Sequence, residues 1–285
     1  MASMRDIKRR IKSVNSTRQI TKAMNLVASS KLNKAKARLE GTKPFAEETR
    51  KVIAEIGAAA GGLNNPLFAE EVKGNKALVI VLTGDKGLCG GYNSNVCKEA
   101  QALCEGKDAK LITVGTKGRD YFKRRSVPID KSVVGISEHF EFGDAVALGE
   151  RALKMYKEKE VDAVYLVSTK YISSISSAPK SIRLLPVNPN EFEGEAKADS
   201  LVLYEPSEEA VLEYIVPKYV NTVIYGGLVE ASVCELGARM TAMDAATDNA
   251  EEMLDSLNLL YNRVRQGAIT NEITEIVNGS NALSQ

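Results

Sequence analysis

The amino-acid sequence predicts an α/β chain in which long helices at its two ends pair as a coiled coil beside a small, open α/β sheet. Three observations carry this expectation: a narrow apolar stripe of helical period at each end, opposite net charge on the two ends, and short β-branched runs alternating with helical patterns between them. The expected segments are 1–60 for the N-terminal helix, 61–204 for the central α/β domain and 205–285 for the C-terminal helix, which pairs with 1–60.

From Ile7 the apolar or small positions are Ile11, Val14, Thr17, Ile20 and Thr21, Met24, Val27 and Ala28, Leu32, Ala35 and Leu39. This stripe is too thin to be buried on several sides, and no aromatic residue precedes Phe45. Such a segment suits one partner helix and much solvent. Gly41 and Pro44 are expected to interrupt or kink it, after which Phe45, Thr49, Val52, Ile53 and Ile56 resume the period up to the glycine-rich turn 57–62.

At the other end Ser207 is a plausible N-cap, with Glu208 and Glu209 in the first turn. The helical pattern then continues nearly to the C-terminus, with Pro217 expected to kink it or begin its next section. Its stripe is expected to run through Val220, Ile224, Leu228, Ala231, Ala238, Thr241, Ala245, Leu254, Leu257, Tyr261, Val264 and Ala268, ending at Ile273, Ile276 and Val277. Some sixty-five residues at ~1.5 Å each predict a rod of roughly 100 Å. Small residues at Ala238, Ala242, Ala245, Ala246 and Ala250 allow a second helix to approach closely.

Charge says which helix that is. Residues 1–38 hold eleven Lys/Arg against one acid, a local +10, and residues 205–285 hold four against thirteen, a local −9, while the whole chain nets +1. Pairing of unlike ends is favoured over association of like with like.

Between the ends, 76–82 (KALVIVL), 110–114 (KLITV) and 161–167 (VDAVYLV) read as strands, alternating with helical patterns at 95–105, 117–125 and 142–159. Residues 181–187 can add an edge strand, since Pro186 is tolerated only at an edge or strand end. Residues 188–199 read as a polar loop leading to the last helix.

A length of 285 residues with 44% hydrophobic and 26% charged residues is ordinary for a globular protein that buries a core without staples. The near-neutral balance argues against a globally basic nucleic-acid binder. Cys89, Cys97, Cys104 and Cys234 form no C-x-x-C pair and read as reduced thiols, and no apolar run approaches the roughly 20 residues of a membrane span. The N-terminus shows no targeting segment, which points to a chain that stays in the compartment where it is made.

Candidate chemistry is sparse. The turn 83–93 (TGDKGLCGGYN) is glycine-rich and leads from strand to helix, but its glycines fit neither the P-loop nor the dinucleotide fingerprint, so a structural turn is favoured over a phosphate cradle. His139 is the only histidine and reads as a packing or surface residue, because general-base work requires an orienting partner and a nucleophile. The acids at 208, 209, 213, 251, 252 and 255 read as solvated helix faces. The basic run Lys8, Arg9, Arg10 and Lys12 lacks interleaved aromatics and reads as a face answering an acidic helix or a protein partner.

Three blocks, in order, carry a resemblance: IKRRIKSVNSTRQITKAMNLVASSKL near the start, TGDKGLCGGYN in the middle, and GARMTAMDAATDNA followed by LNLLYNRVRQGAITNEITEIVNGSNAL at the end. They resemble the gamma subunit of the bacterial rotary ATP synthase over essentially the whole chain. The resemblance implies an antiparallel, left-handed coiled coil of the terminal helices, a Rossmann-like central domain, and a role as the asymmetric central shaft inside a hexamer of alpha and beta subunits. It also implies that the central domain rests with the epsilon subunit on a membrane ring of c subunits, on the cytoplasmic side of the cell membrane. Nucleotides are then bound by alpha and beta rather than by this chain, and neither cofactor nor nucleic acid is expected.

The same resemblance assigns rotor contacts. Lys22 and Met24 match the N-terminal block facing the moving segment of the beta subunits. Arg239 and Met240 match the Ala-Arg-Met block. Arg265, Gln266, Thr270 and Glu272 match the polar set that lies against the hexamer. No covalent chemistry is assigned to any of them. Gly84 stands where the family's turn has Ser, Gly267 where Ala or Ser is usual, and Ser280 and Asn281 where a Gly-Ala-x-Ala ending is common. No inserted segment with a close cysteine pair is present, so thiol switching is not expected. Two other classes compete with this reading: a nucleotide-dependent enzyme built on the central sheet, and a coiled-coil adaptor for polyanions.

Overall fold

A computed structural model describes residues 3–59, 67–174, 176–188, 205 and 208–283 of the chain. They fall into two compact units, one of Met1–Ala28 with Met240–Gln285 and one of Ser29–Arg239. The expectations for Ser207 as N-cap, for the polar loop after residue 188 and for the last part of the turn 57–62 lie outside the described residues.

Helix α1 covers Met4–Ala59 and helix α5 covers Glu208–Leu283. Both helices continue through their prolines, Pro44 in α1 and Pro217 in α5. A proline removes the N–H that would bond the carbonyl four residues back. Those carbonyls belong to Glu40 and Glu213, both exposed, so water can satisfy them.

In the first unit the two helices run antiparallel. Arg18 Nη1 donates to Glu251 Oε1 at 3.2 Å, the hydroxyls of Thr21 and Thr247 are 2.8 Å apart, and Asn25 Nδ2 donates to the Met240 carbonyl at 3.1 Å. Each step up α1 is thus a step down α5. The covered positions include a run spaced alternately by three and four: 7, 11, 14, 18, 21, 25 and 28 on α1, and 243, 247, 250, 254, 257, 261 and 264 on α5, with Met24, Ala242 and Ala246 partly covered beside it. That is the heptad seam of a coiled coil. It corrects the expected stripes. Thr17, Ile20, Val27, Thr241 and Ala245 face outward, and Arg18 and Asn25 join the expected Thr21 in the seam, because a mean spacing of 3.5 residues, not apolarity at each site, decides which side chains meet.

The second unit is built on a five-stranded sheet of order β3-β2-β1-β4-β5. Its strands are β1 Lys76–Leu82, β2 Asp108–Val114, β3 Ile129–Val133, β4 Ala163–Tyr171 and β5 Ser177–Leu185. The first four are parallel and β5 is antiparallel to β4. Helices α2 Tyr92–Cys104, α3 Thr116–Lys123 and α4 Phe142–Lys157 make the crossovers. Strand β3 was not foreseen: its sequence, IDKSV, is polar and mostly exposed at the sheet edge, so it lacks the apolar run that marks the interior strands. Pro179 lies inside β5, which tolerates it as the other edge.

The central strand β1 is buried on both faces, as expected of a parallel sheet covered on both sides. Ala77, Val79 and Val81 pack with Val96, Cys97 and Ala100 of α2 and Phe122 of α3. The alternate residues point to the opposite face, where a Cβ placed on Gly227 of α5 would lie 3.0 Å from Leu166 and 3.2 Å from Leu82. Strand period and helix spacing therefore bring α5 close over β1 and β4.

Candidate functional site

The glycine-rich turn leaves the C-terminal end of β1, and its geometry is held by side chains of this chain. Thr83 Oγ1 donates to the Val114 carbonyl at 2.7 Å and accepts from the Gly118 amide at 2.9 Å. Gly115, with φ +89°, passes so near the Thr83 carbonyl that no Cβ fits there.

Asp85 then gathers three loops. Its Oδ1 accepts from the amides of Thr116 at 3.0 Å and Gly135 at 2.9 Å and from the Thr116 hydroxyl at 2.9 Å, while Oδ2 accepts from the Ser137 amide at 3.2 Å. Partial burial opposes the charge, but these donors outweigh it and hold the carboxyl down at about 2. The amide at the start of α3 is thus occupied by a carboxylate of the same chain. Glu138, in the loop after β3, binds Lys31 Nζ at 2.6 Å and Lys86 Nζ at 2.8 Å, and those two hydrogen bonds hold its carboxyl near 2.

Arg239 is buried rather than displayed. Its Nη2 donates to Glu235 Oε1 at 2.7 Å and to the Gly87 carbonyl at 3.3 Å, tying α5 to the turn. Burial pushes the Glu235 carboxyl above its ordinary value, with Arg239 pulling it back. A Cβ on Gly84 would stand 2.7 Å from the Glu235 carboxylate, so the glycine at this position makes room for the buried pair. Cys89 and Cys234 are buried beside Tyr92, and all four cysteines are free thiols.

The other predicted contact residues lie in the first unit. Lys22 is exposed, and Met24 and Met240 are half-buried next to the seam. Arg265, Gln266, Thr270 and Glu272 are all exposed on the last turns of α5, where the Thr270 hydroxyl donates to the Gln266 carbonyl at 3.0 Å. The structure therefore groups these four on one stretch and sets Arg239 apart from them, inside the other unit.

That stretch carries a feature the sequence stripe concealed. From Arg265 to Ser280 every side chain is exposed. Ile269, Ile273, Ile276 and Val277, at helical spacing, form an apolar stripe that no described residue of the chain covers, with Ile276 66% exposed. Leu259 is 72% exposed, and Ile20, Leu26 and Val27 are open as well. Helical periodicity alone could not separate this stripe from the seam, since both have the same spacing.

Among the described residues no helix is long and apolar enough to cross a membrane, and no group of three His, Cys, Asp or Glu side chains is arranged to hold a metal ion.

Comparison with known proteins gives a consistent result. A family model described as ATP synthase matches residues 3–283. The chain is 46% identical over 286 residues to the ATP synthase gamma chain of Alkaliphilus metalliredigens, covering 98% of each chain. It is 41% identical to the gamma chain of Acetobacterium woodii, described as sodium ion specific, covering 99% of each. Among solved structures it matches a chain of the Tetrahymena thermophila mitochondrial ATP synthase central stalk and c-ring, with 26% identity, a TM-score of 0.61 and coverage of 80% of this chain and 99% of that one. A chain of the Euglena gracilis mitochondrial enzyme shares the fold at 18% identity, with a TM-score of 0.74 and coverage of 98% and 94%.

Proposed function

The chain belongs to the ATP synthase gamma chain family, and from that premise we propose which of its surfaces transmit torque. The gamma chain is the central rotor shaft of the rotary ATP synthase, coupling ion-driven rotation of the membrane ring to conformational cycling of the catalytic sites on the beta subunits. This chain is a non-catalytic subunit, and nucleotides are held by its alpha and beta partners. Its coiled-coil end enters the alpha–beta hexamer, and its central domain rests with epsilon on the c ring, peripheral to the cell membrane on the cytoplasmic side.

The uncovered stripe Ile269, Ile273, Ile276 and Val277 carries this reading. An isolated helix tip with four exposed branched aliphatics is stabilised by a partner surface, and burying them contributes roughly 1.5–3 kcal/mol per side chain. Arg265, Gln266, Thr270 and Glu272 lie on the same stretch and supply polar contacts that can form in one rotor position and break in the next. Lys22 and Met24 serve the same purpose on α1, and Met240 on α5. Arg239, from its buried place, ties α5 to the glycine-rich turn. One shaft cannot present the same face to three sites at once, so turning it shifts each site's equilibrium in succession by differential contact.

Two experiments test the assignment. Purification from native membranes is expected to bring the chain down with alpha, beta, epsilon and c subunits, and its absence from such a complex would refute the reading. Truncation after Tyr261 removes the exposed tip and is expected to lower ATP-synthesis coupling while leaving the folded sheet intact by circular dichroism. Unchanged synthesis would remove the tip from the torque path.

A further inference from the structure

A cavity of about 310 Å³ in the second unit is lined by Lys31, Lys34 and Arg38 of α1, Glu138, His139 and Phe140 of the loop before α4, and Val229, Ser232 and Leu236 of α5. Its size is at the lower end of the range for small-molecule pockets, roughly 300–1,000 Å³. From this cavity we infer a binding site for a small soluble organic anion: one acidic group on a compact apolar body. The site is independent of the rotor contacts proposed above.

Charge is the first ground. Glu138 is the only acid in the lining, and both its oxygens are engaged, Oε2 by Lys31 and Oε1 by Lys86. Lys34 has no ion-pair partner among the described residues. Arg38 is half-buried, yet its bonds go to neutral groups: Nε and Nη2 to the Tyr225 hydroxyl at 3.1 and 2.9 Å, and Nη2 to the Phe140 carbonyl at 2.8 Å. The cavity therefore holds positive charge that no carboxylate of the described chain neutralises. A half-buried guanidinium gains most from a carboxylate, sulfonate or phosphate, whose bonds to it are charge-assisted.

Shape is the second ground. The Arg38 guanidinium lies 4.3 Å from the Phe140 ring centroid and 5.4 Å from that of Tyr225, so its plane is held before any ligand arrives. Preorganisation of this kind raises affinity by reducing what must be ordered on binding. Phe140, Val229 and Leu236 supply an apolar floor, which an inorganic ion cannot use. The volume is too small for a two-chain lipid. An occupant would bridge α1, the loop before α4 and α5.

His139 supplies the test, because it is the only histidine of the chain and its imidazole C2–H proton is a single resolved signal. The full-length chain is titrated with 1-naphthalenesulfonate, with 1-naphthalenemethanol, which keeps the apolar body without the charge, and with sulfate, which keeps the charge alone. Binding by calorimetry and the His139 signal are followed together. The expected result is saturable binding of the sulfonate that moves the His139 signal, at least tenfold weaker binding of both controls, and at least a tenfold loss in Lys34→Glu. Arg38→Lys, which retains charge but not the planar fork, is expected to bind more weakly than the unaltered chain. A silent His139, equal binding of sulfate and sulfonate, or undiminished affinity in a folded Lys34→Glu chain would each overturn the proposal. Displacement of the sulfonate by phosphatidylglycerol vesicles would overturn the choice of a soluble ligand.

Discussion

The carboxylate of Glu235 occupies the space in which a side chain at residue 84 would begin, 2.7 Å from a Cβ built on Gly84. The buried Glu235–Arg239 pair and the glycine of the turn are one arrangement, since moving the carboxylate away would strain its bond to Arg239. Gly84→Ala is therefore expected to destabilise the chain by about 1–3 kcal/mol, the usual cost of overpacking. Denaturant unfolding of the two chains measures it. Stability equal to the parent would mean that the Glu235 side chain swings away freely.

Removing Arg239 tests the pair from its other side. Arg239→Met leaves a buried carboxyl with no cation beside it, and breaking such a pair costs about 3–5 kcal/mol. Arg239→Met combined with Glu235→Leu is expected to recover much of that loss, because the unpaired charge is gone. A double variant as unstable as the single would show that packing, and not charge, dominates at this position.

Acid sensitivity should centre on the loops that Asp85 and Glu138 hold together. Both carboxyls titrate near 2 in the folded chain, below their ordinary values of 3.8 and 4.5. A depressed folded pKa contributes stability that is complete above the unfolded value and is lost as pH falls through the folded one. Stability of the parent chain should accordingly decline between about pH 4.5 and 2. Asp85→Asn is expected to be less stable at pH 7 and to show a shallower decline over that window. Parallel curves for the two chains, followed by circular dichroism against pH, would rule out Asp85 as a source of the slope.

Polar residues inside the seam should specify alignment more than stability. Thr21 and Thr247 meet at 2.8 Å in positions where a coiled coil usually buries aliphatics. Either single change, Thr21→Val or Thr247→Val, leaves the other hydroxyl without its cross-helix partner and is expected to cost about 1 kcal/mol. The double change should be nearly neutral or stabilising. A strictly additive double variant, measured by thermal unfolding, would show that the hydroxyls do not interact.

The thiols should react in an order set by burial. Burial pushes Cys97 and Cys234 up to about 12, and both side chains are enclosed, whereas Cys104 is half-exposed. Since the thiolate is the nucleophile, iodoacetamide at pH 8 should modify Cys104 first and leave Cys97 and Cys234 intact until the chain unfolds. Peptide mass spectrometry over time distinguishes these sites, and early labelling of Cys234 would contradict the packing around Tyr92.

The sequence by itself determined the two helical ends, their pairing and the run of interior strands, because period and charge are local properties summed over many residues. Residues 76–82 form β1 with the bounds that their β-branched run predicts, and the motif blocks carried the family. The tertiary structure alone decided which side chains meet. Ile20 and Val27 look like seam residues in the sequence, yet they face outward while Arg18 and Asn25 take seam places, since the supercoil selects positions by register rather than by hydrophobicity. Strand β3 needed its neighbour β2 to become visible, and Arg239 was legible as a motif residue but not as one half of a buried pair. A side chain's role depends on groups distant in the chain, and only folding brings those groups within reach.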